Sequence, residues 1–297
     1  MSRDSSKTQN ADSLSGLCLA LSAYMLWGLL PIYLNMLAHI SAIEVTAHRI
    51  IWSVPFAAMV LLVLGRGRDI LKSITSKRML GMGAVTAFFI SMNWGIFAWA
   101  VAHERTVNVA LGFFINPLIS IMLGWVLLGE QLGRLQWVAV AIAVLTVTAG
   151  SLPWVAISLP ICFALYALFK KILPVDPILG YFVEVFILMV PALACAAWFE
   201  LEGNGAFING DNLSVWLLLF SGAITAIPLM LFAGGAKRLR LSTIGILQYS
   251  SPSIIFLIAV LYLNEPISFG QMVAFPLIWL ALILYSIPLI RSMRQKD

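Results

Sequence analysis

Charged residues are scarce in this chain of 297 residues. Asp, Glu, Lys and Arg together make up 10% of it, whereas 61% of the residues are hydrophobic. A soluble domain carries about 25% charged and about 45–50% apolar residues. The chain therefore lacks the polar side chains that would cover a water-facing surface, and it is too hydrophobic for a disordered protein. Ordinary soluble enzymes are excluded, and a protein that crosses a membrane several times remains.

Cysteine clusters and catalytic motifs are also missing. Cys18, Cys162 and Cys195 lie far apart and form no CxxC motif or Cys/His cluster, so we expect no disulfide framework, metal site or cofactor. Neither a GxxxxGKS/T motif nor a long hydrophilic insertion occurs, which excludes ATP-driven transport by this chain alone. HExxH is absent, and no GxSxG stands with a suitable histidine, which argues against a membrane-bound enzyme.

Long apolar runs dominate the chain instead. A helix that crosses a hydrocarbon core of ~30 Å needs about 20 apolar residues. By this measure we predict an all-α polytopic membrane protein with ten transmembrane helices, at residues 14–37, 42–64, 79–101, 107–128, 135–150, 152–169, 177–199, 213–236, 243–263 and 269–290. The fifth and sixth runs are short and adjoin one another, so nine spans is the competing interpretation.

Basic residues favour ten spans and fix an orientation. With the N-terminus inside, the inner segments hold nearly all of the 18 Lys and Arg residues. The outer segments hold only Arg105, and Arg49 lies within a span. This asymmetry follows the positive-inside rule, and it predicts that the tails at 1–13 and 291–297 are both cytoplasmic. The net charge of +5 then indicates contact with anionic lipid rather than with nucleic acid.

The two halves of the chain resemble each other. At a shift of 135 residues, Arg, Pro, Glu and Gln recur in the same order in two segments, and another proline pair matches at a shift of 136. The matched residues are Arg105 and Arg240, Pro117 and Pro252, Glu130 and Glu265, Gln136 and Gln271, and Pro55 and Pro191. We predict two repeats, 14–150 and 151–290. Five spans per repeat is an odd number, so the second copy is inverted, a plan typical of secondary transporters.

The matched prolines are candidate helix breaks. Proline removes a backbone donor and bends a helix, and paired proline-interrupted spans indicate a substrate cavity. We therefore interpret Pro55, Pro117, Pro191 and Pro252 as cavity-lining or gating positions. The alternative is that they only shape the packing. Glu130 and Glu265 come just before predicted helix starts, where a carboxylate meets the positive end of the helix dipole, and we interpret this pair as structural.

Ionisable residues inside a span are costly and default to a functional hypothesis. Arg49 faces either the cavity, where it attracts an anionic or carbonyl-bearing substrate, or the outer head groups. His48 titrates near neutral pH or serves as a hydrogen-bonded packing residue. Glu184 is the acidic residue well inside a span, which suits a proton carrier; the alternative is a structural partner of Arg49 or of hydroxyl groups.

Neutral polar and aromatic residues complete the candidate cavity. In lipid their polar groups must find partners, so each serves either in an interhelical hydrogen bond or in one shared cavity. The residues in question are Trp27, Asn93, Trp94, Asn116, Gln248 and Tyr249.

Several tracts resemble one family of transporters. These are WGLLPIY at 27–33, TAHRIIWS at 46–53, NWGIFAWAV at 93–101, GFFINPLISIMLGWVLLGE at 112–130 and RLRLSTIGILQYSSP at 238–252. They resemble the RarD subgroup of the EamA, or drug/metabolite transporter, superfamily. The resemblance implies two inverted five-helix repeats in a bacterial inner membrane and a chloramphenicol-sensitivity permease. Asn35 departs from the lysine expected in some relatives.

The combined interpretation is a secondary-active transporter that works by alternating access. It exports a small amphipathic metabolite or drug, with protons as the coupling ion, and acts as a monomer or a homodimer. The competing functions are a non-enzymatic pore or lipid scramblase, and an integral-membrane enzyme that acts on lipid.

Overall fold

The computed structural model describes residues 13–128, 154–172, 176–236, 238–239 and 247–269, together with 272, 273, 275, 276 and 279. The predicted fifth span, Glu130, the start of the ninth span and most of the tenth lie outside the described residues. The helices are α1 (Leu14–Met36), α2 (Ala42–Val63), α3 (Gly67–Thr75), α4 (Lys77–Ala102), α5 (Thr106–Leu128), α6 (Trp154–Ile172), α7 (Pro177–Leu201), α8 (Asn212–Ala236) and α9 (Ser250–Leu257), followed by a π-helical turn at Ile258–Tyr262.

Length and apolar character make most of these helices membrane spans. Five are long and apolar enough to cross a bilayer, namely Leu14–Met36, Ala42–Val63, Lys77–Ala102, Ile178–Leu201 and Asn212–Phe232, and three shorter apolar helices accompany them. Large apolar side chains such as Leu21, Phe88 and Phe220 are exposed on the helices, as expected where the solvent is lipid. The predicted all-α polytopic membrane protein is confirmed.

Helix α3 was not predicted. It is a nine-residue helix in the segment between the second and third spans, which the sequence places in a basic inner loop. Ile70 and Ile74 pack against the bundle, while Leu71 is exposed. A helix this short is missed by a search for 20-residue apolar runs, because only one of its faces is apolar.

Contacts at the helix ends show how the halves are oriented. Helix α2 begins beside the loop that follows α7, where the carboxylate of Glu44 accepts the N–H of Ala206 at 2.7 Å. Helix α7 begins beside the loop that follows α2, where Arg66 pairs with Asp176 at 2.9 Å. Helices α2 and α7 therefore run in opposite directions. We call the end of the bundle where α2, α5 and α8 begin the Glu44 end, and the opposite end the Lys170 end.

Packing between helices follows an inverted pseudo-two-fold plan. The second spans of the two halves, α2 and α7, pack against each other, and so do the fourth spans, α5 and α9. The remaining contacts occur in related pairs: α1 packs on α8 as α4 packs on α6, and α2 packs on α8 as α4 packs on α7. Each half thus inserts its helices between those of the other, which places the interface of the repeats in the core of the bundle.

Glycines allow close backbone approaches between helices at two of the interfaces. A Cβ at Gly222 of α8 would collide with the backbone of Trp52 in α2, and a Cβ at Gly112 of α5 would lie 3.2 Å from the Cα of Ala156 in α6. Small residues let membrane helices pack backbone to backbone. Gly222 therefore fixes how closely α8 lies against the part of α2 that carries its polar residues.

Glu265 joins the two halves at the Glu44 end. The π-helical turn ends the ninth span, and Asn264 follows it with φ of 53°. The buried carboxylate of Glu265 then accepts the N–H groups of Thr106 at 2.8 Å and Val107 at 2.9 Å, at the start of α5. It thereby satisfies backbone donors that no helical carbonyl reaches. The sequence placed Glu265 before the next helix in the chain, whereas its observed partner is a helix of the other repeat.

Candidate functional site

The first half of α2 carries an unusual run of buried polar residues. Glu44, Thr46, His48, Arg49 and Ser53 are all buried, although they lie in a membrane-spanning helix. They are buried because α2 packs on α4, α7 and α8 together. This run puts charge and hydrogen-bonding groups at the interface between the two repeats.

Arg49 is held by polar and aromatic contacts. Its side chain is almost fully buried, with 2% of the residue exposed. Nε donates a hydrogen bond to Oγ1 of Thr225 at 3.2 Å, and the guanidinium lies 5.3 Å from the ring centroid of Trp94. The ion pairs found among the described residues involve Arg66 and Lys170, and none involves Arg49. The cation is therefore surrounded by a hydroxyl group and an aromatic face rather than by a carboxylate.

Phe207 covers the next part of the same helix. Its ring stacks on the ring of His48, with centroids 5.0 Å apart and planes 22° apart, and it lies 5.8 Å from the ring of Trp52. Phe207 belongs to the loop between α7 and α8. The N–H of Phe207 is bound by Glu200 at 3.0 Å, and Ala206 is bound by Glu44. Two carboxylates therefore hold this loop over the Glu44 end of α2.

Unpartnered polar atoms cluster on one turn of α2. Nη1 of Arg49, Nε1 of Trp52 and both ring nitrogens of His48 are buried and have no hydrogen-bond partner. Elsewhere in the described ranges the same holds only for Oγ1 of Thr106 and Oδ1 of Asn116. Buried polar groups in folded proteins are almost always paired. The concentration of free groups on a single turn, at the interface of two repeats, identifies this turn as the candidate substrate site.

A chain of hydroxyl groups links this site to α7. The hydroxyl of Tyr181 donates to Oγ of Ser53 at 2.9 Å, and Ser53 donates to the carbonyl of Arg49 at 2.6 Å. Tyr181 also packs edge-on against Trp94, with centroids 6.5 Å apart. Since Tyr181 lies one turn before Glu184 on α7, it connects the Arg49 site with the region of the buried Glu184.

Glu184 is paired with Lys170. Its side chain is 1% exposed, and Oε1 lies 2.7 Å from Nζ of Lys170 on α6. The hydroxyl of Tyr166 donates to Oε2 at 3.3 Å. A small cleft beside this pair is lined by residues of α4 and α7, including Gly83 and Thr86. The prediction that Arg49 is the structural partner of Glu184 is wrong, whereas the predicted hydroxyl partner is present as Tyr166. Lys170 was not predicted as a partner, because the sequence assigned it to an inner loop.

His48 and Glu184 occupy equivalent places in the two repeats. His48 lies seven residues before Pro55 in α2, and Glu184 lies seven residues before Pro191 in α7. Because the helices are antiparallel, His48 lies toward the Glu44 end and Glu184 toward the Lys170 end. Each half of the bundle therefore places a buried titratable side chain seven residues before the proline of its second span, near the end at which that span begins.

The structure brings together only part of the predicted cavity. His48, Arg49 and Trp94 belong to the site just described. Asn93 instead donates to the carbonyl of Leu159 on α6 at 3.0 Å, an interhelical hydrogen bond. Trp27 packs with Tyr24 and Phe232 between α1 and α8.

The remaining predicted polar residues lie around α5 and α9. Asn116 is buried in α5, and its Oδ1 has no partner. Gln248 and Tyr249 form the turn before α9, where the ring of Tyr249 lies 6.5 Å from that of Phe114. The segments that carry these residues therefore lie at the interface between α5 and α9, the fourth spans of the two repeats.

The predicted helix-breaking prolines behave differently from one another. Helices α2 and α7 continue through Pro55 and Pro191, and both prolines are on exposed positions, so neither proline ends its helix; a gating role for this pair stays a prediction. A single missing N–H removes one hydrogen bond, and the turns on either side remain paired. Pro252 lies in the first turn of α9, where its N–H is not needed. Pro117 lies within α5, and its side chain is outside the described residues.

Sequence reasoning missed the partners that come from other elements. Thr225, Phe207, Tyr181 and Lys170 are each a common residue in an apolar or loop segment, and no spacing along the chain relates them to Arg49 or Glu184. The doubled lysine at the end of α6 was the one usable indication, because Lys170 lies close enough to the membrane to meet a buried carboxylate.

Comparisons with known proteins agree with this architecture. The EamA-like transporter family matches residues 14–149 and 150–287. The chain is 38% identical over 286 residues to Protein RarD of Streptomyces exfoliatus, covering 95% of this chain and 91% of that protein. It is 38% identical over 287 residues to the uncharacterized transporter YojE of Bacillus subtilis (strain 168), covering 94% and 95%.

One solved structure shares the fold. It has a TM-score of 0.62 at 17% sequence identity and covers 93% of this chain and 99% of its own, a likeness that shows the fold alone. The two family matches, the identity to RarD and the apolar helices lead to one conclusion. The chain belongs to the EamA-like transporter family, in its RarD subgroup, and is a multi-pass transporter of a bacterial inner membrane whose substrate is a small molecule.

Proposed function

We propose that the chain is a secondary-active transporter that exports a small amphipathic metabolite or drug by alternating access. The observation that carries the proposal is the turn of α2 with unpartnered buried donors at the interface of two inverted halves. Two halves of similar shape can exchange conformations at little cost in free energy, so the interface opens alternately to each side. A substrate bound at Arg49 would then be released on the opposite side of the membrane.

The orientation follows from the basic residues. With both termini in the cytoplasm, the Glu44 end faces outward and the Lys170 end faces the cytoplasm. In the described conformation Phe207 covers the outer end of the site. Outward release then requires the loop that carries Phe207 to move away from His48 and Trp52.

Glu184 is the proposed proton carrier. The ion pair with Lys170 and the hydrogen bond from Tyr166 favour the charged carboxylate, whereas burial disfavours it. Separation from Lys170 would therefore favour the protonated form. Movement of α6 relative to α7 would therefore couple protonation to the opening of the Lys170 end. Tyr181 and Ser53 provide the physical link from this region to the backbone of Arg49. The transporter acts as a monomer or a homodimer.

Reconstitution tests the proposal. The purified chain in proteoliposomes should transport chloramphenicol, used here as the probe, with a saturable rate that depends on an imposed pH gradient. Liposomes without protein provide the control. A flux that rises linearly with concentration would indicate a pore or scramblase, and conversion of lipid or probe to a new product would indicate an enzyme; either result contradicts a secondary transporter.

A further inference from the structure

The charge balance around Arg49 is incomplete within the described part of the chain. Nε of Arg49 donates a hydrogen bond to the hydroxyl of Thr225, which is neutral. The acidic residues at this end of α2 are occupied: Glu44 binds the N–H of Ala206, and Glu200 binds those of Phe207 and Ile208. An arginine side chain keeps its proton in proteins, and a buried charge without a counter-charge is costly. A bound anion would supply the counter-charge of Arg49.

The free atoms of the site are predominantly donors. Nη1 of Arg49 and Nε1 of Trp52 can only donate hydrogen bonds, and a neutral histidine ring offers one donor and one acceptor. The surrounding hydroxyl groups direct their protons into the protein instead. Thr225 donates to the carbonyl of Ser221 at 2.8 Å, and Tyr33 donates to that of Leu217 at 3.1 Å. A ligand with several acceptor atoms satisfies the site, whereas an ammonium group finds few acceptors and a like charge.

Aromatic faces border the donors on two sides. Trp94 lies against the guanidinium of Arg49, and Phe207 lies against His48 and Trp52. Planar apolar groups stack favourably on such rings. A single guanidinium balances a single negative charge, which favours a carboxylate over a phosphate monoester. The body attached to that carboxylate should be flat and apolar.

We propose that the α2 turn at His48, Arg49 and Trp52 binds an organic monoanion, with its carboxylate on Nη1 of Arg49 and Nε1 of Trp52 and its apolar body against Trp94 and Phe207. This assignment rests on the proposed function, because it names the substrate class of the same site. It also assigns Trp52 a direct part in specificity, as the residue whose indole N–H recognises the carboxylate.

Three probes of matched shape test the assignment. Isothermal titration of the purified full chain in nanodiscs would compare 3-phenylpropanoate, its neutral amide 3-phenylpropanamide and the cation 3-phenylpropylammonium. We expect the carboxylate to bind at least tenfold more tightly than the amide, and the ammonium compound to show no binding. Similar affinities for all three, a preference for the cation, or no binding of any probe would overturn the assignment.

Two variants locate the binding on α2. Trp52→Phe removes the indole N–H and keeps an aromatic ring, and it should weaken binding of the carboxylate about tenfold, the effect of one hydrogen bond to a charged group. Arg49→Gln should abolish the preference for the carboxylate over the amide. Trp216→Phe, at an exposed position of α8, is the matched control and should change nothing. Unchanged carboxylate affinity in a folded Trp52→Phe protein would contradict the proposal even if Arg49→Gln fails to fold.

The same probes separate this inference from the transport function. Saturable transport of chloramphenicol without any preference for the carboxylate would overturn the substrate class and leave the transporter in place. Selective binding of 3-phenylpropanoate that depends on Trp52, without gradient-dependent flux of any probe, would support the anion site and contradict the proposed transport.

Discussion

His48 and Glu184 are buried at equivalent positions of the two repeats, and the residues around them differ. At the Lys170 end, Glu184 has a counter-charge 2.7 Å away and a hydrogen bond from Tyr166. At the Glu44 end, His48 and the adjacent Arg49 have aromatic neighbours and free polar atoms, and Phe207 covers His48. One end is closed by an ion pair within the helices, and the other by an aromatic side chain from a loop.

In the proposed mechanism this difference separates proton exchange from ligand binding. A charge that is already paired can exchange a proton when its partner moves away, but it offers nothing to a ligand. A charge that lacks a partner can bind a ligand, at a cost in stability that the ligand itself offsets. The inverted repeat supplies two equivalent positions, and the sequence has given them different side chains: histidine next to arginine in α2, and glutamate in α7.

The largest expected effect comes from Gly222. Replacing it with leucine places side-chain atoms against the backbone of Trp52 and forces α8 away from α2. We expect a loss of about 3 kcal/mol or more of folding free energy, seen as a large drop in the unfolding temperature of the purified protein. Gly81→Leu is the control, because a Cβ there meets no atom within 4 Å. Equal behaviour of the two variants would show that the α2–α8 contact is not tight.

Glu184→Gln tests the Lys170 end. The amide keeps the shape of the side chain but can neither carry a proton nor balance the charge of Lys170. We expect uptake driven by a pH gradient to be abolished, while expression and substrate exchange without a gradient persist. Glu202→Gln, at an exposed position after α7, should leave the gradient dependence intact. Unchanged gradient-driven uptake in Glu184→Gln would remove Glu184 from the mechanism.

Phe207→Ala tests the cover at the Glu44 end. Removing the ring exposes His48, so its modification by diethyl pyrocarbonate should accelerate at least fivefold, as followed by mass spectrometry of the peptide that contains it. Ile208→Ala changes an exposed neighbour in the same loop and should leave the rate as it is. If His48 reacts as fast in the wild-type protein as in Phe207→Ala, Phe207 does not cover the Glu44 end, and the contrast between the two ends is wrong.

Asp176→Asn has the smallest expected effect and concerns the surface of the Lys170 end. Burial alone would raise the pKa of Asp176, but the N–H groups of Leu179 and Ile178 and the guanidinium of Arg66 outweigh it and lower this pKa. A carboxyl with a lowered pKa adds stability above its unfolded pKa of about 3.9, and this stability is lost as pH falls through the folded pKa.

The measurement is the unfolding temperature as a function of pH. We expect Asp176→Asn to lower it slightly at pH 7, and the difference from wild type to disappear when the pH falls below the lowered pKa. A difference that stays constant across this range would show that the charge of Asp176 contributes no stability. Asp69→Asn removes the other carboxylate that pairs with Arg66. A smaller effect of this variant than of Asp176→Asn would assign the difference to the capping of α7 by Asp176.

The sequence predicts the fold much better than the site. Apolar length is sufficient for α1, α2, α4, α7 and α8, because a helix that crosses lipid must be long and apolar throughout. Arg49, His48 and Glu184 are identified because a buried ionisable group in a span is costly. Their partners are not, since Thr225, Phe207 and Lys170 come from other helices and loops, and their proximity exists only after packing. The partner of Glu265 is missed for the same reason, because it belongs to the other repeat. Helix α3 is missed because it is too short for a search based on long apolar runs.

Distances at the two ends of the bundle test the central claim most directly. Spin labels at Glu104 and Leu213 report on the Glu44 end, and labels at Leu71 and Arg238 report on the Lys170 end, with the three native cysteines replaced. Double electron–electron resonance in nanodiscs, with and without chloramphenicol and at pH 5 and pH 8, would measure both pairs. Alternating access predicts that one distance lengthens as the other shortens. Distances that change together, or that stay fixed under all of these conditions, would contradict it.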